Sequence, residues 1–294
     1  MSRVMPLTRC LTLQPHGSRV PLFCIPGAGG RAHYFDPLVR RLGTQRPVYG
    51  LQSYGIESNG EPSTDLPLYA ARCLEVIRRQ LRPDRPYFLL GHSFGGVVAF
   101  EVAHQIQQER AEVGFLAIVD TVAPAEAPLR TYEGWSLEDW QRHIAVRMER
   151  HYGLSLNRGA AGPNSAELWL GERMAEQGLV PPGTTPDIFR RFIEVYIANV
   201  TSGAAYTRAD RFFRGELTLF RAEEDDPDLR VDGITRAGAA MGWADMAAQI
   251  EVVEVAGTHL TMVTEPFVGT LAERLNEKLC EADERLLATI PTLR

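Results

Sequence analysis

Residues 87–105, YFLLGHSFGGVVAFEVAHQ, set Ser93 between Gly91 and Gly95 at the point where an apolar run gives way to an amphipathic one. Glycine is the default wherever a backbone bends sharply, so a plain turn is one reading. The other is a strained strand-to-helix turn that lifts the Ser93 hydroxyl clear of a sheet as a nucleophile. G-x-S-x-G by itself is a weak signal, but the flanking strand and helix patterns are the setting that such a turn requires. A serine hydroxyl needs a base to act as a nucleophile. Among the seven histidines, His92 adjoins Ser93 and should point away from it, and His104 falls within the helix pattern. His143 and His151 fall in a long irregular interval, and His16 and His33 precede the turn. His259 follows the last apolar run, in the loop AGTHLTMVTEP. Doubly wound sheets keep their chemistry in loops at the carboxyl ends of strands. The order nucleophile, acid, base also calls for a late histidine.

Two positions compete for the acid. Asp120 ends the strand pattern that follows the serine, while Asp225 and Asp226 lie in the cluster AEEDDPD after the next one. A lone carboxylate closing a fully apolar run is costly unless it has a partner, which favours Asp120. The second cluster is crowded and polar, as a solvated turn would be. An oxyanion formed in acyl transfer needs backbone donors. The amide of Phe94, directly after the serine, is one candidate; the other is Ala28 in the loop CIPGAGG, where Pro26 has no N–H to give. That loop has neither the G-x-x-x-x-G-K-[ST] pattern nor a G-x-G-x-x-G leading into a helix, so it does not read as a phosphate cradle.

These residues need a scaffold. Continuous apolar runs at residues 20–25, 47–52, 86–91, 114–120, 216–222 and 250–255 read as strands covered on both faces. Helix patterns at 34–42, 66–81, 96–108 and 267–280 lie between or after them, the second with Asp65 as N-cap and Pro67 in its first turn. The alternation predicts an α/β protein with a mostly parallel, doubly wound sheet. About 124–214 the rhythm breaks, with helix-like stretches at 137–151, 166–177 and 186–199 and loop-like stretches at 157–166 and 180–186. A parallel crossover needs only about a dozen residues, so this interval is an insertion. It is either a helical decoration of the sheet or a lid over the site. Residues 1–15 read as a leader or linker, and 16–294 as the folded domain.

Composition narrows the class. With 45% hydrophobic and 23% charged residues, the 294-residue chain can bury the core of one large α/β unit. A net charge of −6 with mixed signs argues against a nucleic-acid binder. Lys278 is the only lysine. Cys10, Cys24, Cys73 and Cys280 lie far apart, so neither a zinc site nor a disulfide framework is indicated. The N-terminal residues, interrupted by Arg3, Pro6 and Arg9, lack the apolar run of a signal peptide, and a cytoplasmic location is the expectation.

Taken together, VPLFCIPGAGG, YFLLGHSFGGVVAFEVA, FLAIVDTVAP, RFIEVYIANVTSGAAYTRADRFFRGELTLFRA and GTHLTMVTEP resemble the terminal (type I) thioesterase domains of nonribosomal peptide and polyketide synthases. Those are α/β-hydrolase folds with a helical lid. The resemblance implies a triad of Ser93, Asp120 and His259, with Ala28 and Phe94 at the oxyanion hole. It implies a serine thioesterase that takes an acyl or peptidyl chain from the phosphopantetheine of a carrier protein, through an acyl-serine, by hydrolysis or macrocyclisation. No bound cofactor, metal, nucleic acid or membrane is implied. Trp140, Trp169, Phe192 and Tyr196 of the insertion either line an acyl channel or pack the lid. Stand-alone editing (type II) thioesterases usually carry methionine after the serine, where this chain has Phe94. With no carrier domain ahead of the fold, an excised terminal domain or a free-standing protein acting in trans is expected. An editing thioesterase, a carboxylesterase and, from another class, a non-catalytic docking protein are the alternatives.

Overall fold

The computed structural model describes residues 9–56, 60–153, 155–156, 169–176, 184–225 and 238–289. Its strands are β1 (Arg9–Gln14), β2 (Leu22–Ile25), β3 (Val48–Gln52), β4 (Tyr87–His92), β5 (Val113–Val119), β6 (Phe213–Ala222) and β7 (Ala247–Val255). They form one sheet in the order β1-β3-β2-β4-β5-β6-β7, parallel throughout except for the antiparallel β1–β3 pair. The helices on its two faces are α1 (Asp36–Leu42), α2 (Leu66–Gln80), α3 (Phe94–Gln108) and α7 (Val268–Thr289).

The continuous apolar runs follow from this layering. Successive side chains of a strand point to opposite faces. In β2, Phe23 and Ile25 join a core shared with α2 and α3, whereas Leu22 and Cys24 join a second core shared with α1 and α7. Each fully buried Leu, Ile or Phe removed from water is worth ~1.5–3 kcal/mol, so two cores hold the layers together. Helix α2 starts as expected, with the Asp65 side chain accepting from Leu68 N.

Several boundaries differ from the sequence reading: the insertion's last helix, Pro186–Ala205, runs six residues past 199, and β6 and β7 each begin three residues early. Residues 9–14 are not a leader but the edge strand β1, registered from Arg9 opposite Gln52. The partial burial of β1 left it without the apolar run by which the central strands were found. Helix α7 continues nine residues past the expected end at Cys280. Ala282 is fully buried there and Asp283 pairs with Arg46 at 2.6 Å, so the charged sequence after Cys280 still has an inward face.

The insertion contains α4 (Leu137–Tyr152), α5 (Trp169–Glu176) and α6 (Pro186–Ala205). Residues 157–166 and 180–183, read as loops, lie outside the described residues. Ile144, Leu156, Trp169, Leu170, Phe189 and Ile193 give the insertion a small core of its own. Its two ends are stitched together by a bridge between Ala125 and Thr207, with Arg208 N donating to Ala125 O at 3.0 Å.

A buried charge fastens its outgoing end to α3. Glu101, 4% exposed, accepts from Tyr206 Oη at 2.5 Å, Arg211 Nε at 3.0 Å and Gln105 Nε2 at 2.8 Å. Removing one member of such a network leaves buried polar groups unpaired. Glu101→Ala is expected to cost about 3 kcal/mol of stability in urea denaturation; a cost below ~0.5 kcal/mol would show that the network does not anchor the insertion.

Candidate active site

The chain reverses its direction of travel across the sheet between β2 and β4, and the loops after these two strands meet at the crevice so formed. At the end of β4, Ser93 has φ 57° and ψ −128°, a conformation that a side-chain-bearing residue adopts only under constraint. The constraint is close packing. A Cβ on Gly91 would lie 2.0 Å from Gly95 O, and one on Gly95 2.1 Å from Ile25 O. Only glycine lets strand, helix and neighbouring loop approach this closely. Ser93 N donates to Val119 O at 3.1 Å and Thr121 Oγ1 donates to Ser93 O at 2.9 Å, tying the turn to β5.

Ser93, His259 and Asp120 are brought together in a hydrogen-bonded chain. His259 Nε2 lies 2.9 Å from Ser93 Oγ, and His259 Nδ1 lies 3.0 Å from Asp120 Oδ2. The histidine and the aspartate are 2% and 1% exposed. Asp120 Oδ1 accepts from Ala222 N at 2.9 Å, and Asp120 N donates to Phe220 O at 2.7 Å, so β6 holds the carboxylate in place. A carboxylate at Nδ1 sets the tautomer: Nδ1–H donates to Asp120, leaving the Nε2 lone pair facing the Ser93 hydroxyl. Asp225, the rival position, is exposed, and Asp226 lies outside the described residues.

Ala28 and Phe94 flank the serine. A Cβ on Gly27 would lie 3.3 Å from Ser93 Cβ, which shows how closely the loop after β2 abuts the turn. Gly30 N donates to Gly27 O at 2.8 Å, closing a tight turn around Ala28. Among the described residues, the amides of Ala28 and Phe94 donate to no acceptor of the protein.

His92 does point away from Ser93, but it is 3% exposed and sits behind His259. Its Nε2 lies 2.9 Å from His259 O, and a carbonyl only accepts, so Nε2 carries the proton. Nδ1 therefore accepts from Tyr34 Oη at 3.0 Å, while that hydroxyl accepts from Gly27 N at 2.9 Å. A relay thus joins the loop after β2 to the loop that carries His259. Its signal, a polar residue at the end of an apolar strand, does not say where its partners lie.

The site opens into a cavity of about 740 Å³ whose walls include Tyr132, Ile144, Met148, Phe192, Tyr196 and Val200 of the insertion. Phe192 and Tyr196 thus face the cavity, whereas Trp169 is buried in the lid core and Trp140 packs against Tyr132 and Trp135. Among the described residues, no group of three or more His, Cys, Asp or Glu side chains is arranged to hold a metal ion. No helix among them is long and apolar enough to cross a membrane.

Sheet order, strand-to-helix turn and lid define an α/β-hydrolase fold. A family model of the thioesterase domain matches residues 20–279, and the chain belongs to that family. It is 28% identical over 271 residues to malpinin synthetase of Mortierella alpina, covering 92% of this chain and 3% of the synthetase. Over 106 residues it is 42% identical to indigoidine synthase of Dickeya dadantii (strain 3937), covering 36% of this chain and 7% of that enzyme. The chain therefore spans a small fraction of the length of these relatives. Among solved structures it resembles the four-domain nonribosomal peptide synthetase AB3403, with TM-score 0.76 and 21% identity, over 95% of this chain and 20% of that one. It also resembles the Vlm2 thioesterase domain bound with a dodecadepsipeptide, with TM-score 0.66 and 20% identity, over 92% of this chain and 98% of that one.

Burial, reinforced by nearby His259, pushes His92 down to about 3, while an unfolded histidine titrates near 6.5. Between those values the unfolded chain binds a proton that the folded one refuses. Stability therefore falls as pH drops below 6.5, by up to about 1.4 kcal/mol per pH unit for this group. In calorimetry, the Tm should decline from pH 6.5 to 4.5. The decline should be shallower in His92→Phe, even though that variant melts lower at pH 7; parallel declines would contradict a buried neutral His92.

Proposed function

We propose that the protein is a serine thioesterase that releases an acyl or peptidyl chain from the phosphopantetheine thioester of a carrier protein. The observation that carries this reading is the unbroken chain Asp120–His259–Ser93, ending at a hydroxyl that faces an apolar cavity. His259 Nε2 takes the proton of Ser93 as Oγ attacks the thioester carbonyl carbon. The amides of Ala28 and Phe94 receive the negative charge that develops on the carbonyl oxygen. Collapse breaks the C–S bond, and the departing thiolate takes the proton from His259, leaving an acyl-serine. A second nucleophile, either water or a hydroxyl or amine of the same chain, gives its proton to His259 and attacks the ester. The chain then leaves as an acid or a macrocycle, and Ser93 recovers its proton. Asp120 keeps His259 in the required tautomer and stabilises the imidazolium at each half.

The apolar walls supplied by the lid suit an acyl chain, and their exclusion of water decides which nucleophile reaches the ester. The relatives and structural neighbours named synthetases support a carrier-bound substrate. Intact-protein mass spectrometry tests the reading. Acyl- and peptidyl-pantetheine thioesters should add an acyl mass to the wild type and none to Ser93→Ala. The released product distinguishes hydrolysis from cyclisation. Failure of both the thioesters and a fluorophosphonate probe to label Ser93 would leave the docking-protein alternative. Preference for oxygen esters would point to a carboxylesterase. Asp120→Asn is expected to lower kcat about 10³- to 10⁴-fold in steady-state thioester turnover, because the wrong tautomer then faces Ser93.

A further inference from the structure

Lid helix α6 meets the site with one face. Phe192, Val195, Asn199 and Gly203 recur at spacings of three and four residues, which places them on one side of the helix. A Cβ on Gly29 would lie 3.1 Å from the Phe192 ring, and one on Gly30 2.9 Å from Val195 Cγ1. One on Gly203 would lie 3.2 Å from the ring of Phe94. The same helix face therefore rests on both segments whose amides flank Ser93.

Its polar side chain is Asn199, 4% exposed. Asn199 Nδ2 donates to Ala28 O at 2.8 Å and to Ser53 Oγ at 3.3 Å. Ser53 in turn lies 2.9 Å from Tyr69 Oη, and its amide donates to Gly30 O at 2.8 Å. A buried amide is costly compared with an apolar side chain of the same size, so packing alone does not account for it.

The geometry around Ala28 does. The turn bond from Gly30 N fixes Gly27 O, and in a planar trans peptide the Ala28 N–H points opposite to that carbonyl. Asn199 fixes the next peptide through Ala28 O. With the peptides on both sides of its Cα pinned, Ala28 cannot rotate its N–H away.

We propose that Asn199 is a positioning residue for the oxyanion hole: through its hydrogen bond to Ala28 O, the seated lid helix holds the Ala28 amide in its donating orientation. Seating of α6 on the loop after β2 and on α3 supplies the second of the two restraints on that amide, which couples lid closure to acyl transfer. This inference rests on the reading of Ala28 and Phe94 as oxyanion donors of a serine thioesterase.

The test uses Asn199→Leu, which keeps the volume, and Asn199→Ala in case the leucine does not fold. Wild-type acylation of Ser93 is measured first; its absence would sink the thioesterase reading and this inference with it. With the wild type active, kcat per fluorophosphonate-titrated site should fall about 10- to 100-fold in the variants, with KM changed less than threefold. Affinity for ethylboronic acid, whose tetrahedral serine adduct places an oxygen in the hole, should fall in parallel. A role in folding alone would lower Tm and the number of titratable sites but leave kcat per site and boronate affinity intact, and would overturn the proposal. A rise in KM alone would do the same. In the wild type, ethylboronic acid bound at Ser93 should by reciprocity slow hydrogen exchange in α6. Unchanged exchange there would also overturn the proposal.

Discussion

The site depends on where a carboxylate can be buried. Asp120 is almost fully withdrawn from water, and a carboxyl group in that position needs donors at both oxygens. One donor is the amide of Ala222, available because β6 lies beside β5 in parallel register; the other is His259, presented by the loop after β7. Three consecutive strands of the sheet are therefore committed to one side chain. The imidazole gains a fixed tautomer from the arrangement, and its Nε2 lone pair faces the Ser93 hydroxyl.

The serine side of the site is governed by sterics. The turn at Ser93 persists because β4, α3 and the loop after β2 are packed within the radius of a missing methyl group. Such packing makes the loop that carries Ala28 and the turn that carries Phe94 a single body. The relay from Gly27 N through Tyr34 and His92 to the carbonyl of His259 extends that body to the loop of His259. Ser93, His259 and the candidate oxyanion donors thus share one rigid frame, the preorganisation that the proposed reaction demands.

The lid belongs partly to this frame. Its own core, built around Trp169, Leu170 and Phe189, lets α4, α5 and α6 pack against one another. The contacts of α6 with Gly29, Gly30, Ala28 and Phe94 then bind it to the loops beside Ser93, and Glu101 anchors the insertion's outgoing end on the helix that follows the serine. The aromatic residues divide accordingly. Phe192 and Tyr196 face the cavity, and the buried tryptophans Trp140 and Trp169 hold the lid together.

Much of this was legible in the chain itself. Apolar runs specify strands buried on two faces, Asp65 and Pro67 mark a helix start, and Gly91, Ser93 and Gly95 mark a turn, because each of these signals acts over a few residues. Position at the end of a late strand singled out His259, the cost of a lone carboxylate closing an apolar run favoured Asp120, and the family resemblance supported both. Strand β1 carries no such signal, because an edge strand covered on only part of its surface has no continuous apolar run. The contacts of His92, Tyr34 and Asn199 were beyond local reading. His92 meets a carbonyl 167 positions away, and Asn199 meets one 171 positions away. Their hydrogen bonds become defined only when the sheet order and the seat of α6 bring those backbone groups within 3 Å, and tertiary structure alone decides that.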